Sequence, residues 1–172
     1  MLIFLVGFMG SGKSTTGRVL AGKLGYTFAD LDKLVEEKEG MPVTEIFARR
    51  GEDYFRRAEA EMLETLFDKS DMVIACGGGT PCFHDNMSKM KRSGITVYLS
   101  VSPALLAKRL SGGKQKRPLI AGMKGAELRD HVRRLLAGRE GWYRQSDIIF
   151  NSADAGVNGL IALLEPHLGK RN

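Results

Sequence analysis

The chain has 172 residues, of which 43% are hydrophobic and 27% charged, so a single folded domain is expected and extensive disorder is excluded. Lysine and arginine outnumber aspartate and glutamate by 26 to 20, and the resulting net charge of +6 suits an anionic ligand. Two cysteines are too few for a disulfide framework, and no apolar run reaches the ~20 residues that a membrane span requires.

Strand-like and helix-like segments alternate along the chain. Leu2 to Val6 is a continuous apolar run, which predicts a strand buried on both faces. The predicted strands are 2–6, 26–29, 72–76, 96–101 and 148–150, and the predicted helices are 14–24, 30–39, 52–68, 103–110, 126–143 and 157–168. This alternation predicts an α/β fold with a parallel sheet of about five strands and helices on both faces. Residues 41–51 fit either a short helix or a loop.

The turn after the first strand runs GFMGSGKS from Gly7 to Ser14 and matches the phosphate-binding pattern G-x-x-x-x-G-K-[S/T]. Its glycines allow backbone N–H groups to converge on phosphate oxygens at the start of a helix. Lys13 would reach the β- and γ-phosphates, and Ser14 would give its hydroxyl to Mg²⁺. The predicted nucleotide-binding residues are Gly10, Ser11, Gly12, Lys13, Ser14 and Thr15. The loop predicts a P-loop NTPase fold but does not separate a kinase from a GTPase, a motor or a switch.

Two aspartates at the end of the second predicted strand are candidates for chemistry. The third strand ends VIACGGGTP and carries no acidic residue at its tip, where a usual ATPase places its magnesium aspartate. Since parallel strands end at one shared edge, Asp30 could hold the Mg²⁺ shell through water. Asp32 could accept or orient the proton of an acceptor hydroxyl. An equally weighted interpretation makes Asp30 the N-cap of the next helix.

Six motifs together resemble the shikimate kinase family. They are GFMGSGKST (7–15), DLD (30–32), FRRAE (55–59), GGG (77–79), RPLI (117–120) and REGWY (139–143). They occur in the family's order and spacing over nearly the whole chain. The resemblance implies a nucleoside-monophosphate-kinase-like fold and phosphoryl transfer from MgATP to the 3-hydroxyl of shikimate, in aromatic amino-acid biosynthesis. It implies one kinase domain over 1–172, with a substrate-binding segment at about 31–60 and a mobile lid at about 111–125.

The resemblance also implies individual roles. Asp32 matches the acidic residue that binds the acceptor hydroxyls and acts as catalytic base, while Asp30 matches the one near Mg²⁺. Arg56 and Arg139 match the two arginines that grip the substrate carboxylate. The implied substrate-binding residues are Asp32, Arg56, Glu59, Gly78, Gly79 and Arg139.

The residue types fit a carboxylate site. A planar guanidinium suits a carboxylate better than an ammonium does. Arg56 and Arg57 lie about 100° apart on a helix, so only one can face a pocket. Arg56 and Glu59 share a helix face, although a surface salt bridge worth about 0–1 kcal/mol is the alternative for this pair. For Arg139 the alternative is a solvated helical charge. Three consecutive glycines suit a ligand lying against bare backbone.

Residues 111–125 are rich in glycine and lysine and lack periodicity, which suits a lid that closes over the triphosphate and excludes water. Arg117 matches the family's lid arginine, which would stabilise charge on the γ-phosphoryl oxygens and act beside Lys13 and Asp32 in catalysis. Arg109 matches a residue that lies against the adenine. The alternative is a basic, disordered surface loop.

Partners and location are predicted more coarsely. No aromatic residues interleave with the basic ones in the segment 111–125, so nucleic-acid binding is not expected. The N-terminal apolar run lacks a basic flank and a cleavage site, which favours a strand over a signal peptide. A cytoplasmic protein is therefore expected. A monomer is expected.

Two alternatives to the shikimate kinase function remain from the sequence. One is another small-molecule kinase, such as a gluconate kinase. The other is a catalytically silent nucleotide-binding module, and the presence of Lys13, Asp32 and Arg117 argues against it.

Overall fold

The structure, a computed structural model, describes residues 1–112, 118–120 and 122–168. Its strands are β1 (Leu2–Val6), β2 (Thr27–Asp30), β3 (Met72–Ala75), β4 (Ile95–Ser100) and β5 (Ile148–Asn151). Its α-helices are α1 (Lys13–Leu24), α2 (Leu31–Glu39), α3 (Val43–Glu64), α4 (Asn86–Ser93), α5 (Pro103–Ser111), α6 (Gly125–Tyr143) and α7 (Ser152–Leu168). Short 3₁₀ turns lie at Thr80–Cys82 and Pro118–Ile120. The predicted alternation of strands and helices is confirmed.

The five strands pair in parallel in the order β2-β3-β1-β4-β5. From β1 the chain crosses to the edge strand β2, returns to place β3 between them, and then adds β4 and β5 on the other side of β1. The strand order therefore reverses next to β1, which makes this position a topological switch point. Ligands of such sheets bind beyond the carboxyl ends of the strands at this point. The loops that follow β1, β2 and β3 meet at this edge.

Two layers of helices cover the sheet. The whole of β1 is buried, and its side chains alternate between the two faces. Ile3 and Leu5 pack in one hydrophobic cluster with residues of α1 and α7, such as Leu20 and Leu160. Phe4 belongs to the cluster on the other face, to which α3, α4, α5 and α6 contribute. The expectation of a first strand buried on both faces is thereby confirmed.

Helix boundaries follow local capping signals. Asp30 caps α2 by accepting a hydrogen bond from the backbone N–H of Lys33 at 3.4 Å, and the N–H of Gly40 closes its other end on Glu36. Ser102 caps α5 directly before Pro103. No helix within the described ranges is long and apolar enough to cross a membrane.

One region that the sequence left open is helical, and one helix was not predicted. The open segment 41–51 is helical from Val43 and joins the helix that was predicted from residue 52. At Gly51 the backbone leaves helical geometry (φ 81°, ψ 170°), so α3 consists of two helices across a kink. A residue with a side chain rarely adopts this φ, and the glycine interrupted the periodicity. The sequence analysis missed α4, whose eight residues carry only Met87 and Met90 as apolar positions.

Helix α1 packs tightly against the sheet at Gly17, and a substitution there can test this contact. A Cβ on Gly17 would lie 2.6 Å from Phe28 Cε2 and 3.2 Å from Leu5 Cδ1, whereas a Cβ on Gly22 of the same helix would meet nothing within 4 Å. We expect Gly17→Ala to lower the free energy of unfolding by about 1–3 kcal/mol through overpacking. Gly22→Ala should raise it by about 0.5–1 kcal/mol, because alanine favours a helix. Urea denaturation measures both, and equal effects would contradict the close approach.

Candidate active site

A cleft of about 920 Å³ opens at the carboxyl edge of the sheet. Its lining comes from the phosphate loop and α1, from α2 and α3, from the glycines after β3, and from single residues of α5 and α6 and of the 3₁₀ turn at 118–120. The predicted site residues that line it are Gly10, Ser11, Gly12, Lys13, Ser14, Thr15, Asp30, Asp32, Arg56, Gly78, Gly79, Arg109 and Arg139. Glu59 is fully buried behind this lining. Arg117 lies outside the described residues.

The phosphate loop leads directly into α1. Gly12 is the N-cap residue and has φ 95°, a left-handed conformation that glycine tolerates. The first N–H groups of a helix have no partner within it, so the start of α1 offers donors to an anion in the cleft. Lys13 Nζ donates to the backbone oxygens of Gly7 (2.8 Å) and Phe8 (2.9 Å). The lysine is therefore folded across the loop that would hold a phosphate.

Ser14 and Asp30 meet where a metal would be expected. Ser14 Oγ donates to Asp30 Oδ2 at 2.6 Å, while the other carboxylate oxygen of Asp30 caps α2. The N-cap interpretation of Asp30 is therefore confirmed, and its role near Mg²⁺ stays a prediction. Hydroxyl and carboxylate oxygens are donors that Mg²⁺ accepts, and Mg²⁺ bound to a nucleotide keeps waters and phosphate oxygens as its other ligands. The pair fits such an ion, although the described ranges contain no group of three or more His, Cys, Asp or Glu side chains that could hold a metal.

The Arg56 guanidinium is held by two carboxylates. Its Nε and Nη2 donate to Glu52 Oε1 at 3.2 and 3.0 Å, and its Nη1 donates to Glu59 Oε2 at 3.0 Å. Only 5% of the Arg56 side chain is exposed, so the pair with Glu59 is not the surface salt bridge that the sequence left open. Arg57, in contrast, is exposed. Arg56 is therefore the residue of the two that faces the cleft.

Bare backbone and aromatic rings enclose this guanidinium. A Cβ on Gly79 would lie 2.5 to 2.7 Å from the Nη2, Cζ and Nη1 atoms of Arg56. The rings of Phe83 and Phe55 lie 4.6 and 5.2 Å from Cζ, within the range of cation–π attraction. Glycine at position 79 is therefore required by the protein's own arginine.

Glu59 connects Arg56 to the segment after β3. Its Oε1 accepts from the Thr80 hydroxyl at 2.5 Å, and its Oε2 accepts from Arg56. Burial raises the pKa of Glu59, while Arg56 and the Thr80 hydroxyl act in the opposite direction. A Cβ on Gly77 would lie 2.6 Å from Glu59 Oε1 and 2.8 Å from Asp32 Oδ1, so the two carboxylates approach each other around this glycine.

Arg139 approaches the same glycines from α6. It is 8% exposed, and its Nη1 is buried without a hydrogen-bond partner. A Cβ on Gly78 would lie 3.4 Å from this Nη1, and the Tyr143 hydroxyl donates to the Gly78 oxygen. Arg139 is thus not a solvated helical charge. A buried guanidinium nitrogen without a partner beside a cleft is a donor for an anionic ligand.

Comparison with known proteins identifies the family. Residues 9–162 match the family described as shikimate kinase. The chain belongs to the shikimate kinase family. A shikimate kinase of Bacteroides fragilis is 46% identical over 96% of this chain and 97% of its own. A solved shikimate kinase of Bacteroides thetaiotaomicron superposes with a TM-score of 0.89 at 40% identity, covering 98% of each chain. One from Acinetobacter baumannii, in complex with shikimate, has a TM-score of 0.86 at 32% identity over 99% and 95%.

Membership of the shikimate kinase family confirms the resemblance, the fold and the class of ATP-dependent kinase. The predicted division into a substrate-binding segment and a lid stays a prediction, because residues 113–117 and 121 lie outside the described part. Of the residues flanking this gap, Arg109 is exposed and its Nη1 donates to the Gly10 oxygen at 3.1 Å. The arginine thus lies beside the phosphate loop.

The structure adds residues that the sequence analysis did not single out. Phe47 lines the cleft from the segment left open at 41–51, where the kink at Gly51 hid the periodicity. Glu52, Thr80 and Phe83 hold the charged groups of the site. Glu52 is four residues before Arg56, a spacing that could have suggested the pair. Nothing in the sequence brings Thr80 or Phe83 to α3.

Proposed function

We propose that the chain transfers the γ-phosphoryl group of MgATP to the 3-hydroxyl of shikimate, giving shikimate 3-phosphate and ADP in aromatic amino-acid biosynthesis. One observation carries the proposal beyond family membership. Two buried guanidinium groups, those of Arg56 and Arg139, lie against Gly79 and Gly78 in the cleft that also contains the phosphate loop. A hydroxylated carboxylic acid bound there would lie in the same cleft as the phosphates of a nucleotide.

The nucleotide half acts by positioning and charge. Lys13 exchanges its hydrogen bonds to the Gly7 and Phe8 oxygens for contacts with the β- and γ-phosphates. The N-terminus of α1 binds phosphate oxygens through its backbone N–H groups. Bound Mg²⁺, contacted by Ser14 Oγ and through water by Asp30, would neutralise charge on the phosphates. Arg109 lies against the adenine.

The acceptor half orients the hydroxyl. Arg56 and Arg139 bind the carboxylate, and the backbone at Gly78 and Gly79 donates to the acceptor. Asp32, half-buried in the lining of the cleft, accepts the proton of the 3-hydroxyl as it attacks.

The predicted domain organisation completes the proposal. Residues 1–172 form one kinase domain in which the segment at about 31–60 binds the acceptor and the lid at about 111–125 closes on the triphosphate. Arg117 of this lid would stabilise the transferring phosphoryl group and keep water from competing. Monomeric state and cytoplasmic location stay predictions from the sequence.

The two rival functions are not favoured. A gluconate kinase would share the fold and a carboxylate acceptor, but the family match is to shikimate kinases. A silent nucleotide-binding module would be expected to have lost catalytic groups. Lys13 and Asp32 instead line one cleft.

The test of the function is ADP release from MgATP with shikimate, with gluconate as the parallel control. We expect strong stimulation by shikimate alone. Stimulation by gluconate alone would keep the phosphate loop and overturn the acceptor assignment. ATP binding without stimulation by either acid would favour the silent module.

Asp32→Asn tests the base. The amide cannot accept the proton, so turnover should fall by about 10²–10⁴-fold, the usual contribution of a general base. The KM for ATP should stay within about twofold, since phosphate binding rests on other groups. The matched control is Asp53→Asn, at an exposed position of α3. Turnover equal to that of the control would remove Asp32 from this role.

Arg56→Lys tests the carboxylate site. Lysine keeps the charge but loses the planar fork, so the KM for shikimate should rise by about tenfold or more. Arg57→Lys, the same change one residue away on the exposed face, should leave it unchanged. The KM for ATP reports on the nucleotide half, and an equal rise in both KM values would place Arg56 outside the acceptor site.

A further inference from the structure

Thr80 is a fully buried residue whose hydroxyl bonds to a buried carboxylate. Its backbone N–H donates to the Gly77 oxygen at 3.1 Å, and its own backbone oxygen accepts from Asn86 Nδ2 at 3.0 Å. With the backbone fixed on both sides, the hydroxyl donates to Glu59 Oε1 at 2.5 Å. A buried hydroxyl with one charged acceptor forms a stronger hydrogen bond than a neutral pair does.

Glu59 is fixed because each of its oxygens has a different donor. Oε1 receives the Thr80 hydroxyl and Oε2 receives Arg56 Nη1. Without the hydroxyl, Oε1 would be a buried, charged acceptor lacking this donor, and a carboxylate in that state rotates or takes up a proton. The direction of Oε2, and with it the contact to Arg56, therefore depends on Thr80.

Arg56 in turn presents its remaining donors to the cleft. A guanidinium has five N–H donors. Nε, Nη1 and Nη2 each use one on Glu52 or Glu59, which leaves a second N–H on Nη1 and one on Nη2. These two N–H groups belong to neighbouring nitrogens, and a carboxylate offers two oxygens to such a pair of donors. Their direction is set by the carboxylates that hold the rest of the guanidinium.

We propose that Thr80 is a positioning residue for the acceptor carboxylate, which it orients through Glu59 and Arg56 without touching the substrate. The inference rests on the proposed function, in which Arg56 binds the carboxylate of shikimate. It adds a polar link from the segment after β3 to the binding surface of α3. A residue with this role should affect the acceptor and leave the nucleotide alone.

The link also predicts a pH dependence with a definite sign. The charged and titratable groups that face Glu59 are Arg56 on its own helix, Asp32 on α2, Arg139 on α6, and Cys76 and Cys82 after β3. Burial raises the pKa of Glu59, and the Thr80 hydroxyl lowers it. Removing the hydroxyl should raise this pKa further. Glu59 would then become protonated at a higher pH, and the contact with Arg56 would weaken earlier as the pH falls.

The experiment compares Thr80→Val with Thr80→Ser in steady-state kinetics from neutral to mildly acidic pH. Valine keeps the shape and loses the hydroxyl, so the KM for shikimate should rise by about tenfold, as expected for one hydrogen bond to a charged group. The rise should grow as the pH falls, while the KM for ATP stays within about twofold. Serine restores the hydroxyl and should restore the KM and its pH profile.

The matched control is Thr65→Val, since the Thr65 hydroxyl bonds only to its own helix region at Met62 and is exposed. It should behave as the parent protein. If Thr80→Val does not fold in urea titrations, Thr80→Ala, which only removes atoms, carries the same expectation. An unchanged KM for shikimate, an equal rise in both KM values, or equal defects in the valine and serine variants would overturn the proposal. A parent protein that does not phosphorylate shikimate would instead refute the proposed function.

Discussion

The buried ion pair between Arg56 and Glu59 is the contact on which the acceptor half of the cleft depends. Bringing two charges out of water costs several kcal/mol for each ion, and breaking such a pair is far more damaging than replacing it by apolar groups. Stability alone therefore gives no reason to keep it. A role in binding would explain the pair, because Glu59 holds the Arg56 guanidinium at the wall of the cleft while two of its N–H donors are not used on Glu52 or Glu59. The same pair explains two neighbouring residues. Gly79 leaves space for the Arg56 guanidinium, and Thr80 donates a hydrogen bond to Glu59.

In the proposed function, the two halves of the cleft would recognise their ligands by different means. The nucleotide half relies on backbone groups and one helix N-terminus, which are consequences of the strand–loop–helix order. The proposed acceptor half relies on long side chains from α3 and α6, which are distant in the sequence. The parallel order β2-β3-β1 brings these halves together, since it ends three strands at one edge. In the proposed function, specificity for the acceptor would reside in the half that combines more distant parts of the chain.

This difference explains what could be predicted from the sequence. The phosphate loop and Asp30 are contiguous motifs with a local physical meaning, and the pair of Arg56 and Glu59 is visible as neighbours on a helix face. Thr80 could not be identified because its partner, Glu59, is 21 residues away and the contact exists only where the turn at Thr80–Cys82 packs beside α3. Residues 41–51 were ambiguous because Gly51 breaks the helical period that the flanking residues keep.

Pairing within the site also bears on selectivity. Lys13 and Ser14 donate to protein oxygens, so a ligand must exchange those contacts for its own. Arg139 Nη1 is different, because it is buried without a hydrogen-bond partner, and binding there requires no protein contact to break. A carboxylate acceptor would satisfy this donor, whereas a neutral polyol would leave it unpaired at a cost of about 1–3 kcal/mol. Discrimination of this kind rests on what the wrong ligand leaves unsatisfied. The same reasoning gives Arg139 more weight in choosing the acceptor than in holding the fold.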